Sequence, residues 1–383
     1  MKIIENIHLY PSPFTNETRV LRITKTLVDK NIFKNILVVA SQSNKSLLIE
    51  ENIDSNRAVY RVPSNLVGTS FIFKIIFFFQ WYLKALFYTK SSRPKCVNAH
   101  SLSVLPLGVI YKLIYKCKLV YDAHEIETET QEVVGLRRYF SKIVEKTLIN
   151  FVDNIILTSP GHADWYLANY KRINVQVIEN FPYKRRHGDE SQDIFREKFS
   201  IPDEDLIFIY QGYLSEPRGV KLILESFKGI DVSKHIIFMG FGELKKEIIQ
   251  ESTRYLNIHF HEAVRPEEVY SYTRCADVGI HMMDDSCINH LYALPNKPLE
   301  YMNAGLPAIV SNLPVMGKLI NDANSGWLVK PNDEEEFRGI IATLTRQDII
   351  NKSQFTHKWS LKNNWENQEI KLESIYKSLF NLI

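Results

Sequence analysis

Residues 206–227 read LIFIYQGYLSEPRGVKLILESF, and three local signals follow one another in that stretch. Leu206–Gln211 is an apolar run of strand length. Gly212-Tyr-Leu-Ser-Glu-Pro-Arg-Gly219 breaks it, and Val220–Phe227 continues as a helix. Gly212 removes a side chain where the strand ends, so a ligand can approach the backbone there. Repetition of this unit decides the fold. Downstream, the runs Ile236–Met239, Ile258–His261, Val278–Met282, Ala308–Ser311 and Trp327–Val329 recur between longer amphipathic segments. Upstream, a separate series comprises Ile3–Leu9, Ile36–Ala40, Val59–Val62, Cys96–His100, Leu119–Asp122 and Ile155–Thr158. Thr18–Lys30 and Leu136–Phe151 are helices among them, the first with Leu21, Thr24, Leu27 and Val28 as its apolar stripe. Alternation of this kind predicts an α/β protein with parallel sheets.

Between the two series lies Tyr183–Gln192, YKRRHGDESQ, a polar and charged stretch that reads as a linker. Two doubly wound domains therefore follow in succession, over residues 1–185 and 186–358. If they face each other, a central cleft lies between them, a common place for small-molecule sites. Trp359–Phe380 reads as one amphipathic helix. The length of 383 residues suits two cores, and 45% hydrophobic with 24% charged residues is globular usage. A formal net charge of +3 excludes a dedicated nucleic-acid binder. The four cysteines, Cys96, Cys117, Cys275 and Cys287, lack metal-site spacing and read as buried thiols of a reducing cytoplasm. Glu5 interrupts the N-terminus where a signal peptide needs an apolar run. Phe71–Tyr88, FIFKIIFFFQWYLKALFY, is too interrupted by Lys74, Gln80 and Lys84 to span a bilayer. It reads as a core helix, with peripheral membrane contact through 71–88 as the sharper alternative.

The segment Leu294-Pro-Asn-Lys-Pro-Leu-Glu-Tyr-Met-Asn-Ala-Gly-Leu-Pro307 carries most of the chemistry. Asn296 suits an N-cap, Pro298 a first turn, Gly305 a left-handed C′ position and Pro307 a stop. The short helix so fenced offers unpaired N–H groups and a positive dipole end, an anion site to which Lys297 adds a cation. Glu300 is placed in the first turn, within reach of hydroxyls beside bound phosphates. A merely well-capped helix explains the same residues. Arg218 can clamp a diphosphate or be a surface arginine in a turn. Gly240 and Gly242, after the strand ending at Met239, permit close approach of a nucleobase or ribose; a tight turn explains them equally. In the first half, His124 lies beside Asp122 and Glu125 at a strand end, a candidate for proton transfer or sugar contact. His100 ends the preceding strand and ranks below it. The loop Tyr10–Arg19, with Asn16 and Arg19, suits a cleft or plain loop chemistry.

In this order the motifs resemble glycosyltransferase family 4, over nearly the whole chain. Pro13–Arg22 resembles the family's first loop and helix, Tyr121-Asp-Ala-His-Glu125 its D-x-H-E variant, and Val177–Pro182 its V-x-x-N strand end. Gly212–Gly219 is similar to G-x-L-x-x-x-[RK]-G, Ile237–Gly242 to I-x-G-x-G, and Leu294–Val310 to the P-N-K-x-x-E-Y variant of the donor motif. The resemblance implies a retaining GT-B enzyme: two Rossmann-like domains, a nucleotide-sugar donor in the second, and a final helix bearing Trp365 that crosses back to the first. It further implies that Glu300 contacts the ribose, Arg218 and Lys297 neutralise the diphosphate, and His124 contacts the donor sugar. Asn296, Gly212, Gly240 and Gly242 fall on the donor side, and Asn16, Arg19, His100 and Glu125 on the acceptor side. Tyr292 stands where many members carry the first glutamate of E-x7-E, and Tyr213 where many carry arginine. No Asp-x-Asp motif is present, and Asp284-Asp285 reads as a loop, so no metal or other cofactor is expected. The expected activity is sugar transfer to a glycan or lipid-linked acceptor for a cell-surface polysaccharide, in the cytoplasm at the inner face of the membrane. A non-catalytic nucleotide-sugar-binding protein and a nucleotide-sugar epimerase of the same architecture are the alternatives.

Overall fold

The computed structural model describes residues 3–15, 17–42, 46–63, 71–184 and 193–382. Asn16 and most of the linker stretch, 185–192, lie outside the described residues. The chain forms two compact units, residues 1–179 with 369–383, and residues 180–368. The sequence-based boundary at 185/186 thus falls six residues further along the chain than the division by contacts, and the return at 359 falls ten residues earlier.

Among the described residues, the first unit holds an eight-stranded sheet: β1 (Asn6–Leu9), β2 (Ile36–Gln42), β3 (Glu50–Asn52), β4 (Arg57–Pro63), β5 (Cys96–Ala99), β6 (Lys118–Ala123), β7 (Asn154–Leu157) and β8 (Val175–Val177). Their order is β3-β4-β2-β1-β5-β6-β7-β8. All neighbours are parallel except β3, which runs antiparallel to β4 at the edge. Sequence reading finds six of these strands. It misses β3, whose Glu-Glu-Asn is wholly exposed, and β8, which has three residues. The helices are α1 (Thr18–Asp29), α2 (Phe71–Tyr88), α3 (Leu105–Tyr115), α4 (Gly135–Leu148) and α5 (Pro160–Asn169). Right-handed crossovers place α1 on one face of the sheet and α2 to α5 on the other. Among the described residues no helix is long and apolar enough to cross a membrane. Cys96 and Cys117 are buried, whereas Cys275 and Cys287 are only partly so, short of the four buried thiols expected.

The second unit is a parallel six-stranded sheet of β9 (Leu206–Tyr213), β10 (Lys234–Phe241), β11 (Ile258–Glu262), β12 (Val278–His281), β13 (Ala308–Ser311) and β14 (Gly326–Val329). The order β11-β10-β9-β12-β13-β14 reverses direction between β9 and β12. Alternate residues of β9 serve opposite layers: Phe208 and Tyr210 pack in one core, Ile207 and Ile209 in the other. A crevice at the carboxyl ends of β9 and β12 is where sheets of this topology bind ligands.

The last segment differs from the single helix expected. One helix ends at Ser360 and another runs Trp365–Leu379. Asparagine chemistry makes the break: Asn363 Nδ2 donates to the Trp359 carbonyl, and Asn364 Oδ1 accepts from the Asn367 amide as a cap does. From Glu369 onward the second helix belongs to the first unit. There Tyr376 is fully buried, edge-on to Phe33.

Candidate functional site

In the second unit, the helix Asn296–Asn303 lies at the β9/β12 reversal. Pro295, not Asn296, is its cap residue; Asn296 is the first helical residue and exposed, because Pro295 already holds the extended conformation a cap needs (φ −69°, ψ 151°). Glu300 is consequently in the second turn, not the first. Gly305, with φ 82°, is the left-handed stop expected. Tyr301 fastens this helix to the sheet. Its hydroxyl donates to the Ile280 carbonyl (3.1 Å) and accepts from the Gln211 amide (3.3 Å). Its ring occupies the space beside Gly279, where a Cβ would come within 2.3 Å of it.

Lys297 and Glu300, one turn apart, are thereby aimed at the end of β9. Lys297 fills the space that Gly212 leaves empty: a Cβ there would stand 2.8 Å from its Cε. Gly212 has φ 116°, so a side chain is excluded on two counts. The Lys297 ammonium sits 5.5 Å from the centroid of the Tyr210 ring. Burial, then the Arg218 charge, push its pKa down to about 8, against the pull of Glu300. Two cations are thus held close enough to repel, which suits an anion between them. Glu300 Oε2 accepts from Gln211 Nε2 at 2.7 Å, and Gln211 Oε1 accepts from the Thr273 hydroxyl at 2.6 Å. The Glu300 carboxylate can only accept, so Gln211 turns its NH2 toward it and its Oε1 toward the Thr273 hydroxyl, which also lies 2.7 Å from the Val269 carbonyl. Arg218 is exposed beside the Tyr213 ring, and Tyr213 packs edge-on against Phe241. The spaces beside Gly240 and Gly242 are taken by the backbone of Gly212 and Leu214, so the missing side chains let the ends of β9 and β10 approach closely. His281, last in β12, is buried with neither ring nitrogen hydrogen-bonded among the described residues. Burial, then Lys297, Arg218 and His290, hold its pKa well below the usual range. Asp284 accepts from Ser286 and His290 within its own loop.

In the first unit, the sheet order reverses between β1 and β5, and a histidine cluster gathers at those strand ends. Asp122 is fully buried, and burial alone would raise its pKa. Arg19, His124 and His100 overcome that and hold it well below the carboxylate range. Arg19 is buried too: its Nη2 reaches Asp122 at 2.7 Å and its Nη1 donates to the Ile178 carbonyl. His100 Nδ1 is 3.0 Å from Asp122 Oδ2, and its Nε2 lies 2.7 Å from His8 Nδ1. The Asn6 amide lies 2.6 Å from His8 Nε2, bonds in turn to Asn98, and Asn98 to the Tyr376 hydroxyl. His124 is the outermost ring, its Nε2 3.4 Å from Asp122 and 3.3 Å from His100 Nδ1, with 27% of its side chain exposed. His100, Asp122 and His124 also present three atoms that can converge on a metal ion. Glu125 is exposed.

The structure therefore brings Gly212, Arg218, Lys297 and Glu300 together in one unit, and Arg19, His100 and His124 in the other. Gln211, Thr273 and His281, and in the first unit His8, were not read from the sequence; no local motif marks them.

Residues 191–360 match the family model "Glycosyl transferases group 1", and residues 17–181 match "Glycosyltransferase Family 4". The chain is 20% identical over 343 residues to a Kluyveromyces lactis protein named chitobiosyldiphosphodolichol beta-mannosyltransferase, covering 78% of this chain and 73% of that one. A Candida glabrata protein of the same name is 22% identical over 266 residues, covering 60% and 58%. Among solved structures, sucrose-phosphate synthase of Thermosynechococcus elongatus superposes with a TM-score of 0.78 at 14% identity, over 99% of this chain and all of that one. Anabaena HepE in complex with UDP gives 0.73 at 15%, over 99% and 100%. WaaG, described as a glycosyltransferase involved in lipopolysaccharide biosynthesis, gives 0.70 at 15%, over 97% and 99%. Two α/β units of this topology are the GT-B class of glycosyltransferase fold. The chain belongs to glycosyltransferase family 4.

Proposed function

We propose that this glycosyltransferase moves a sugar from a nucleotide-sugar donor to a glycan or lipid-linked acceptor, with retention, in building a cell-surface polysaccharide at the inner face of the cytoplasmic membrane. The observation that carries the donor half is the convergence of Lys297, Arg218 and a helix N-terminus where the sheet of the second unit reverses. A departing nucleoside diphosphate gathers negative charge, and these groups are positioned to stabilise it without a metal. Glu300 accepts hydrogen bonds from the ribose. His124, carried by the Asp122–His100 cluster, contacts the donor sugar. The acceptor half draws on the relatives, whose names specify a dolichol-linked acceptor.

The test is a panel of nucleotide sugars, beginning with UDP-glucose and a nucleotide-linked mannose, assayed first for donor hydrolysis and then for transfer to lipid-linked acceptors. Hydrolysis or transfer from one donor is expected. Tight nucleoside diphosphate binding with no turnover of any donor would favour a non-catalytic binding protein. Isomerisation of a free nucleotide sugar would favour an epimerase. The relatives are named for a β-linked product, so the anomeric signal of the product decides the stereochemistry here. From an α-linked donor, an α product is retention and a β product refutes it.

A further inference from the structure

The histidine cluster of the first unit is tied to the backbone through an amide that can point only one way. Asn6 Nδ2 donates to the Cys96 carbonyl at 3.0 Å and to Asn98 Oδ1 at 2.8 Å. A carbonyl only accepts, so Asn6 Oδ1 is the end turned to His8 Nε2, 2.6 Å away. His8 Nε2 therefore carries a proton. With one proton on each ring, His8 Nδ1 is an acceptor, and the hydrogen between it and His100 Nε2, 2.7 Å apart, belongs to His100. His100 Nδ1 is left with a bare lone pair. That lone pair lies 3.0 Å from Asp122 Oδ2 and 3.3 Å from His124 Nε2. A carboxylate oxygen and an unprotonated ring nitrogen are both acceptors, so the contact is repulsive unless something positive lies between them.

The three atoms are also spaced as ligands. His124 Nε2 stands 3.4 Å from Asp122 Oδ2, so the triangle has sides of 3.0, 3.3 and 3.4 Å. A tetrahedral ion with bonds of ~2.0–2.1 Å sets its ligands about 3.3–3.4 Å apart, and two imidazoles with one carboxylate and an open fourth position are a zinc set. Outer partners hold these groups in place, as they do around metal ligands. His100 donates its other ring N–H to His8, and His8 donates to Asn6. Arg19 holds the carboxylate, with Nη2 on Oδ1 at 2.7 Å and Nε 3.2 Å from both oxygens. That guanidinium also opposes a second cation, which sets the affinity at micromolar, below that of structural zinc sites. His100 and Asp122 are buried, whereas 27% of the His124 side chain is exposed, so an ion enters from the side of His124.

We propose that His100 Nδ1, His124 Nε2 and Asp122 Oδ2 bind a zinc ion, with water in the fourth position. The ion is not the cation of the departing diphosphate, a task that falls to Arg218 and Lys297 in the other unit. Its effect is inhibitory, because coordination takes the Nε2 lone pair of His124, the ring that meets the donor sugar in the transferase reading. The inhibition rests on that reading; the site does not. A second proton on His100 is the rival occupant of the same gap, and the experiment separates the two.

The experiment is calorimetric titration of the full chain, freed of metal, with zinc chloride and separately with magnesium chloride, beside the His124→Ala variant. His124 is partly exposed, so the variant should fold, and equal thermal midpoints without metal check that it does. The parent is expected to bind about one zinc per chain at micromolar concentration, to gain thermal midpoint on binding, and to ignore magnesium, which seeks oxygen ligands. The variant should bind zinc about tenfold weaker or less tightly still. Cobalt(II) in place of zinc should give the visible absorption of a four-coordinate ion in the parent alone. Equal zinc uptake by parent and variant overturns the site and assigns the uptake to surface groups. A parent that takes up no zinc overturns it as well, and leaves the second proton on His100 as the occupant. Zinc at the concentration that fills the site should then abolish transfer, and EDTA should restore it; a zinc-filled chain with full transfer overturns the inhibition. A chain that binds zinc as expected yet transfers no sugar without it refutes the transferase reading and supports the site.

Discussion

Glu300 and Lys297 stand one helical turn apart and face the same strand end, but they are tuned in opposite ways. Glu300 is a charged acceptor whose geometry is set by Gln211. Glu300→Gln keeps its size and removes its charge, and hydrogen bonds to charged groups are worth ~1.5–3 kcal/mol. Donor affinity is therefore expected to fall about tenfold to a hundredfold with little change in thermal midpoint. An unchanged affinity with a normal midpoint would make Glu300 a plain helix residue. Lys297 has its pKa lowered from 10.5 to about 8. The unfolded chain then binds more protons than the folded one between those values, so stability rises with pH across that window, and at pH 7 the buried charge costs the fold. Lys297→Met should raise the midpoint at pH 7 by about 2–8 °C while weakening nucleoside diphosphate binding. A diphosphate draws the proton back onto the free lysine, so binding near pH 8 should take up roughly half a proton, read by calorimetry in buffers of different ionisation enthalpy. No uptake would detach Lys297 from the phosphates. His124→Ala should lower turnover far more than nucleotide affinity, since the residues assigned to the nucleotide all lie in the other unit. A collapse of nucleotide binding in a folded variant would reassign it. Lys297 and Glu300 were legible because a short helix with Pro and Gly at its ends announces itself locally. Gln211 and Thr273 were not, because they join the site across 89 and 62 residues of chain.

At the scale of elements, the donor helix depends on one missing side chain. The Tyr301 ring lies against Gly279, and a methyl group there would collide with it. Gly279→Ala is expected to cost about 1–3 kcal/mol, and to weaken nucleoside diphosphate binding because Lys297 and Glu300 ride on the displaced helix. Loss of stability with full affinity would show that the helix holds its place by other contacts. Strands were read well where they are buried on both faces, as β9 and β10 are, since apolar runs bounded by glycine leave little choice. β3 escaped because edge strands need no apolar residues. Helices taught a different lesson. Periodicity places a stripe, but it does not say which side faces inward. In α1, Val20, Ile23 and Leu27 are buried together with Arg19, an offset from the stripe of Leu21, Thr24, Leu27 and Val28 read from sequence. The buried pair with Asp122 turns the helix, and no local pattern reports a partner 103 residues away. In α4 three tyrosines around Glu145 do the same and send the apolar side outward.

At the scale of the whole molecule, the proposed function gives the cation chemistry to side chains, and one simple treatment tests that proposal. If Arg218 and Lys297 do the work, transfer should survive EDTA. Loss of activity on chelation, restored by magnesium or manganese, would overturn the assignment and turn attention to His100, Asp122 and His124. The two-unit plan was legible because each half repeats strand and helix in its own series. The contribution of the last residues to the first unit was visible only through family resemblance, since packing between ends of a chain leaves no trace in local pattern. That contribution bears on how the protein is made. Tyr376, buried and bonded to Asn98, completes the core of a unit whose other strands are synthesised first. Domains emerging from a ribosome usually fold in the order of their synthesis. Here the amino-terminal unit must wait for its closing helix, while the unit between finds all its strands in one unbroken stretch. The second unit is thus free to fold before the first is finished, and the nascent chain spends translation with every strand of the first sheet made but its closing helix missing.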